Sequence, residues 1–250
     1  MKIKLISDLH IEFGVDYKTA DFSDVDDADV LVLAGDVSSG AGHVADVLDF
    51  YSDRFPHVVY VPGNHEYYGT TVKDFDKALE DYCCSKPNVH LLNPNKIQID
   101  DVLFVGAPLW TNFGNDRFAQ QSAKNMINDF RAIKNFSTDE AIDLYLYHFN
   151  YIADAVEGSS ASKTCVVTHF LPAQACIAPE YQNPNDLLNK YFANSLDNWI
   201  FEHGPDIWMF GHTHTPVDVT IGNTQLVCNP RGYPRSREGK FFNPHFKVIV

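Results

Sequence analysis

The sequence predicts an α/β fold, and two observations carry that expectation. Short apolar, β-branched runs such as Val30-Leu31-Val32-Leu33 and Val58-Val59-Tyr60-Val61 alternate with stretches whose apolar residues recur at helical spacing. Alternation of this kind implies parallel strands joined by right-handed crossovers. Five of the runs also end abruptly in polar side chains able to hold a ligand, the arrangement expected where parallel strands expose their carboxyl ends. With 250 residues, the chain can bury a substantial core. No repeat, low-complexity tract or linker interrupts it, so residues 1–250 are expected to form a single domain.

Lys2 to Ser7 reads as the first strand. The acidic stretch 21–29 follows as a solvated loop, because such charge runs usually lie on the surface. Val30 to Leu33 is a continuous apolar run, hence a buried strand. Val44, Val47, Leu48, Tyr51 and Phe55 trace one helix face. His57 to Val61 is the next strand and Thr70 to Cys83 the next helix. Short strands follow at Val89 to Leu92, Ile97 to Ile99 and Val102 to Val105, with Asp100-Asp101 turning a hairpin. Residues 115–157 are mostly helical in pattern, the last helix opening at a Ser137-Thr138-Asp139-Glu140 cap. Thr164 to Thr168 is a strand. The Pro- and Asn-rich residues 171–186 form a long loop of the kind that often serves a site. Leu187 to Ile200 is expected to be helical and Asp206 to Phe210 a strand. Val217 to Ile221, Gln225 to Cys228 and Phe246 to Val250 are expected as closing antiparallel strands, with Gly222-Asn223 as a turn.

Composition narrows the function. Hydrophobic residues make up 45% and charged residues 21%, the balance of a globular protein. No apolar run approaches the roughly 18 residues a membrane span needs. Met1 to Ser7 reads as a core strand rather than a targeting segment, so a cytoplasmic location is expected. Five cysteines without C-x-x-C spacing argue against a disulfide framework or a thiolate zinc site. Cys165 and Cys228 read as small core residues. A net charge of −14 repels phosphate backbones, so neither nucleic acid nor membrane is an expected partner.

The chemistry lies at the five strand ends: Asp8 and His10, Asp36, Asn64 and His65, His169, and His212 and His214. Taken singly, each has an ordinary explanation. Asp commonly caps turns, and a lone histidine after a strand is usually a hydrogen-bonded core residue. Taken together, each behind a β-run, they converge in one crevice if the strands are neighbours. A convergent set of imidazoles and carboxylates points to metal.

These residues resemble the calcineurin-like metallophosphoesterase family, whose motifs run D-x-H, G-D, G-N-H-[ED], H and G-H-x-H. Here they stand as Asp8-Leu9-His10, Gly35-Asp36, Gly63-Asn64-His65-Glu66, His169 and Gly211-His212-Thr213-His214. The resemblance spans essentially the whole chain, including Leu109-Trp110-Thr111, the middle helices around Asn128-Asp129-Phe130-Arg131, and Asn229-Pro230-Arg231-Gly232-Tyr233. It implies a four-layer αββα sandwich, with two mixed sheets flanked by helices, and a two-metal site at the sheet edge. Asp8, His10, Asp36 and His214 would hold one ion; Asp36, Asn64, His169 and His212 the other, with Asp36 bridging. A hydroxide bridging the ions would attack phosphorus. His65 would be the general acid or transition-state donor, and Asn64 would also touch substrate. Glu66 is expected to hold an imidazole. Arg231 is expected either to grip phosphate or to pair with one of the many acids, while Trp110 and Asn112 suit packing and turn roles. The ligand set fits manganese, iron, zinc or nickel, with manganese the ion for assay.

The protein phosphatase branch of that family carries G-D-x-V-D-R-G, where this chain has Gly35-Asp36-Val37-Ser38-Ser39. The phosphate-gripping arginine of that branch is therefore missing, and the nuclease branch usually adds a capping domain and a basic surface. The expectation is a phosphomonoesterase or phosphodiesterase acting on a small or nucleotide-like substrate. Phosphoprotein phosphatase, nuclease and non-catalytic scaffold are the alternatives.

Overall fold

The structure is a computed structural model that describes residues 1–18, 27–183, 185–234, 236 and 238–250. Most of the acidic stretch 21–29 lies outside them. Within the described part, Asp27 pairs with Lys2 and Lys247 at the surface.

Two sheets form, each with a parallel centre. In the first, β1 (Lys2–Ile6), β2 (Val30–Ala34), β3 (His57–Val61) and β4 (Val89–Leu91) run parallel in that order. In the second, β6 (Val102–Ala107), β7 (Lys163–Thr168), β8 (Ile207–Phe210) and β10 (Thr224–Cys228) are parallel neighbours. Antiparallel strands β5 (Asn95–Ile99) and β9 (Val217–Ile221) close its two edges. The chain's last strand, β11 (Lys247–Ile249), returns to the first sheet and pairs antiparallel with β1. The three final strands thus do not form one antiparallel group, because β10 joins β8 in parallel and β11 crosses to the other sheet.

Alternation along the strands builds the core. Ile3, Leu5, Val30, Val32, Val59 and Val61 meet Phe104, Cys165, Val167, Met209 and Val227 between the sheets. The opposite faces pack on helices: α1 (Ala41–Ser52) and α2 (Val72–Cys83) on the first sheet, and α5 (Thr138–Glu157) on the second. Helix, sheet, sheet, helix are the four layers expected. Shorter helices α3 (Arg117–Met126) and α4 (Asp129–Ala132) lead into α5, which Ser137 caps by accepting from the Glu140 amide.

The expected helix 187–200 is broken. It resolves into α6 (Asn189–Phe192) and α7 (Asp197–His203), with Ala193 extended between them. The cause is local. Asn194 bonds the Leu171 carbonyl through its amide nitrogen (2.9 Å) and the Trp110 carbonyl through its side chain (2.8 Å). The Leu171 carbonyl thus takes the backbone donor that a continuous helix would use, and the side-chain bond to Trp110 holds the break in place. Among the described residues no helix is long and apolar enough to cross a membrane.

Candidate metal centre

Every motif lies just beyond the carboxyl end of a parallel strand, three in the first sheet and two in the second. Cross-sheet bonds lock the two edges together. The His212 amide donates to Asp8 Oδ1 (3.0 Å), and His169 Nδ1 lies 2.9 Å from the Ala34 carbonyl.

The motif side chains form two groups of converging ligand atoms, and a third, of His10, Glu12 and His65, adjoins them. Asp8, His10, Asp36 and His214 make one; Asp36, His169 and His212 make the other, and Asp36 belongs to both. Asn64 Oδ1 lies 3.1 Å from His169 Nε2, beside the second group. Three histidines are anchored from behind at Nδ1: His10 by Glu12 (3.1 Å), His169 by the Ala34 carbonyl, and His214 by Glu238 (2.8 Å). An acceptor at Nδ1 fixes the proton there and leaves Nε2 to the group, the arrangement that orients metal-bound imidazoles. His212 is reversed, its Nδ1 facing His169 Nε2 at 3.2 Å.

The donor set fits cations on electrostatic grounds. Asp8 and Asp36 are buried, and burial raises a carboxyl's pKa, yet the neighbouring imidazoles hold both below the usual range. Burial likewise lowers His169 and His214, but the carboxylates outweigh it and lift them to about 9 and about 10. The cluster therefore demands positive charge. Divalent ions held by these groups would supply it.

The backbone is strained at the same places. Asp8, His10, Asp36, His212 and His214 all have positive φ, between 47° and 69°, a region that costs non-glycine residues on the order of 1 kcal/mol or more each. Gly63 permits the close approach of the motifs: a Cβ there would lie 2.2 Å from Asp36 Oδ1 and 2.8 Å from His169 Nε2.

His65 is buried at the edge of the groups. Its amide donates to Asp36 Oδ1 (2.9 Å), its Nδ1 meets Glu12 Oε1 (3.0 Å), and its Nε2 lies 3.3 Å from the Tyr233 hydroxyl. Burial would lower its pKa, but Asp36 and Glu12 turn the net shift upward.

Two sequence expectations need correction. Glu66 does not hold an imidazole. Its carboxylate accepts from the amides of Asp36 (3.1 Å), Val37 (2.8 Å) and Gly63 (2.9 Å) and from the Tyr60 hydroxyl (2.9 Å), tying two motif loops together. Arg231 neither lines the cavity nor pairs with an acid among the described residues. Its backbone amide bonds Ser7, and its guanidinium turns back to the Gly232 carbonyl (3.3 Å). Trp110 is wholly buried in the core, and Asn112 caps Gly114.

Sequence reasoning missed several residues that complete the site. Glu12 joins His10 to His65, and its place two residues after His10 was a readable signal. Asp129 is buried and accepts from Asn64 Nδ2 (3.0 Å), Tyr68 (2.6 Å) and Tyr191, so the Asn64 oxygen is left to face His169. Tyr233 and Glu238 arrive from the C-terminal segment. A cavity of about 460 Å³ opens from Asp36, Asn64, His65, His212 and His214.

Comparisons with known proteins bear on the family and the fold. A family model described as calcineurin-like phosphoesterase matches residues 1–216. An uncharacterized protein of Acanthamoeba polyphaga mimivirus is 28% identical over an alignment of 277 residues, covering 99% of this chain and 96% of its own. Among solved structures, the phosphopantetheinyl hydrolase of Mycobacterium tuberculosis superposes with a TM-score of 0.79 at 20% identity, over 99% of this chain and 95% of that one. A Thermus thermophilus protein does so at 0.58 and 12% identity, over 92% and 88%. At these identities the likeness to solved structures concerns the fold.

Proposed function

The chain belongs to the calcineurin-like phosphoesterase family, and from that premise we propose that residues 1–250 act as one domain hydrolysing small phosphomonoesters or phosphodiesters with two divalent ions. The observation that carries this reading is the sharing of Asp36 by two buried donor groups. Asp8, His10, Asp36 and His214 would hold one ion, and Asp36, Asn64, His169 and His212 the other. Manganese, iron, zinc or nickel bound there would offset charge on the phosphoryl oxygens and lower the pKa of bound water.

The chain's own groups do the rest. Glu12 takes the proton side of His65 Nδ1, which directs Nε2 to the cavity beside Tyr233. From Nε2, His65 donates a proton to the departing ester oxygen, the step a histidine can perform near neutral pH. Asp129 holds the Asn64 amide so that its oxygen serves the metal. Tyr68 packs against His65, with ring centroids 4.3 Å apart and the planes tilted by 31°, and limits its rotation.

The test is hydrolysis of bis-p-nitrophenyl phosphate and p-nitrophenyl phosphate by protein reconstituted with each of the four metals, with metal content measured in parallel. Two ions per chain and turnover of at least one ester are expected. Full metal loading without turnover of either ester would favour the scaffold reading.

A further inference from the structure

Tyr233 reaches the site from the C-terminal segment, and backbone and ring alike hold it there. The chain after β10 is pinned to the end of β1, where Asn229 Nδ2 donates to the Leu5 carbonyl (2.9 Å) and the Arg231 amide to the Ser7 carbonyl (2.9 Å). Gly232 then turns at φ 69°, so close to the returning chain that a Cβ would lie 2.8 Å from Glu238 Cβ. The Tyr233 amide donates to Glu238 Oε2 (3.1 Å), the oxygen that also faces His214 Nδ1. Around the ring stand His10 (centroids 4.4 Å apart), His214 (4.7 Å) and Phe13 (5.3 Å), the last two edge-on. The hydroxyl lies 3.3 Å from His65 Nε2, and both residues line the cavity.

We propose that Tyr233 is a second catalytic donor, its hydroxyl and His65 Nε2 together holding the departing ester oxygen. This rests on the phosphoesterase reading above and adds a residue to it. Two donors 3.3 Å apart can both come within hydrogen-bond distance of one oxygen placed against them. As the P–O bond breaks, its electron pair passes to that oxygen. The proton comes from His65 Nε2, while Tyr233 keeps its own and lends a hydrogen bond. A phenol suits that part, because with an ordinary pKa of about 10 it stays a donor at neutral pH. A fixed donor counts most where charge develops in the transition state. The hydroxyl should therefore matter more as the departing oxygen becomes more basic.

The experiment compares manganese-loaded wild type with Tyr233→Phe, which keeps the ring beside His10 and His214 and removes only the hydroxyl. Elemental analysis gives the metal content of both. kcat/KM is measured for p-nitrophenyl and phenyl phosphate, and for bis-p-nitrophenyl and diphenyl phosphate. Phenolate is the more basic leaving group in each pair. Tyr233→Phe should match wild type in metal content and lose about tenfold more on the phenyl ester than on its p-nitrophenyl counterpart. An equal loss on both esters would reduce Tyr233 to packing, no loss would exclude its hydroxyl, and a fall in metal content would make it part of the centre. Each of these overturns the inference and leaves the phosphoesterase reading intact. Absence of turnover by fully loaded wild type would sink that reading, and this inference with it.

Discussion

Glu12 Oε1 lies 3.0 Å from His65 Nδ1, and the same oxygen lies 3.1 Å from His10 Nδ1. One carboxylate therefore sets the tautomer of a proposed metal ligand and of the proposed proton donor. Burial raises the Glu12 carboxyl, but the two imidazoles more than reverse this and hold it ionised. Glu12→Ala should lower kcat on bis-p-nitrophenyl phosphate about 10- to 100-fold and weaken manganese binding, the usual cost of losing a partner behind a ligand. Glu12→Gln keeps an acceptor oxygen and should lose less. Steady-state kinetics across a manganese titration separates the two effects, and equal loss in both variants would assign the role to charge rather than orientation.

Asp36 and His65 should fail differently. Asp36 belongs to both donor groups, so Asp36→Asn should reduce metal content and rate together. His65 touches Asp36 only through its backbone amide, which an alanine retains. His65→Ala should therefore cost about 10²- to 10⁴-fold in rate, the range of general acid catalysis, with metal content near wild type. An empty site in His65→Ala, measured by elemental analysis, would make this histidine a structural element of the centre.

Gly63 tests how tightly the motifs approach. Its missing Cβ would fall within 2.8 Å of both Asp36 and His169, and neither side chain can withdraw without leaving the centre. Gly63→Ala should abolish two-ion binding while the far-UV spectrum stays native. Retention of two ions per chain in the variant would show that the loops can separate at little cost.

What the sequence revealed follows from how local each signal is. The strand ends are contiguous motifs, so Asp8, His10, Asp36, Asn64, His169, His212 and His214 could be named; the alternation of periods implied parallel strands with crossovers, while the four-layer sandwich was what the family resemblance implied. Asp129 and Tyr233 lie in segments that share in the resemblance, but no motif assigned either a role; Tyr191 and Glu238 lie in segments that do not, and all four meet the site only after folding. Arg231 follows a strand, which left it open to grip phosphate or to pair with an acid, and position along the chain does not fix where a side chain points. The segment 187–200 looked helical because Leu188 and Phe192 recur at helical spacing, whereas both line the cavity. The left-handed backbone at five of the proposed ligands leaves no mark in residue type.

His148 offers a test of stability away from the centre. It is buried on α5, its Nδ1 has no hydrogen-bond partner among the described residues, and burial lowers its pKa from 6.5 to about 3. As pH falls below 6.5 the unfolded chain takes up a proton there and the folded chain does not. The group therefore costs stability progressively between pH 6.5 and about 3, at about 1.4 kcal/mol per pH unit. His148→Leu removes the titration and the unpartnered nitrogen while keeping an apolar side chain of comparable size. The variant should be more stable than wild type by on the order of 1 kcal/mol at pH 7.5 and by about 2 kcal/mol more at pH 5. Urea unfolding of both proteins at pH 7.5, 6 and 5 measures the difference directly. A difference that stays flat across that range would mean that His148 is protonated in the folded protein, or reaches solvent.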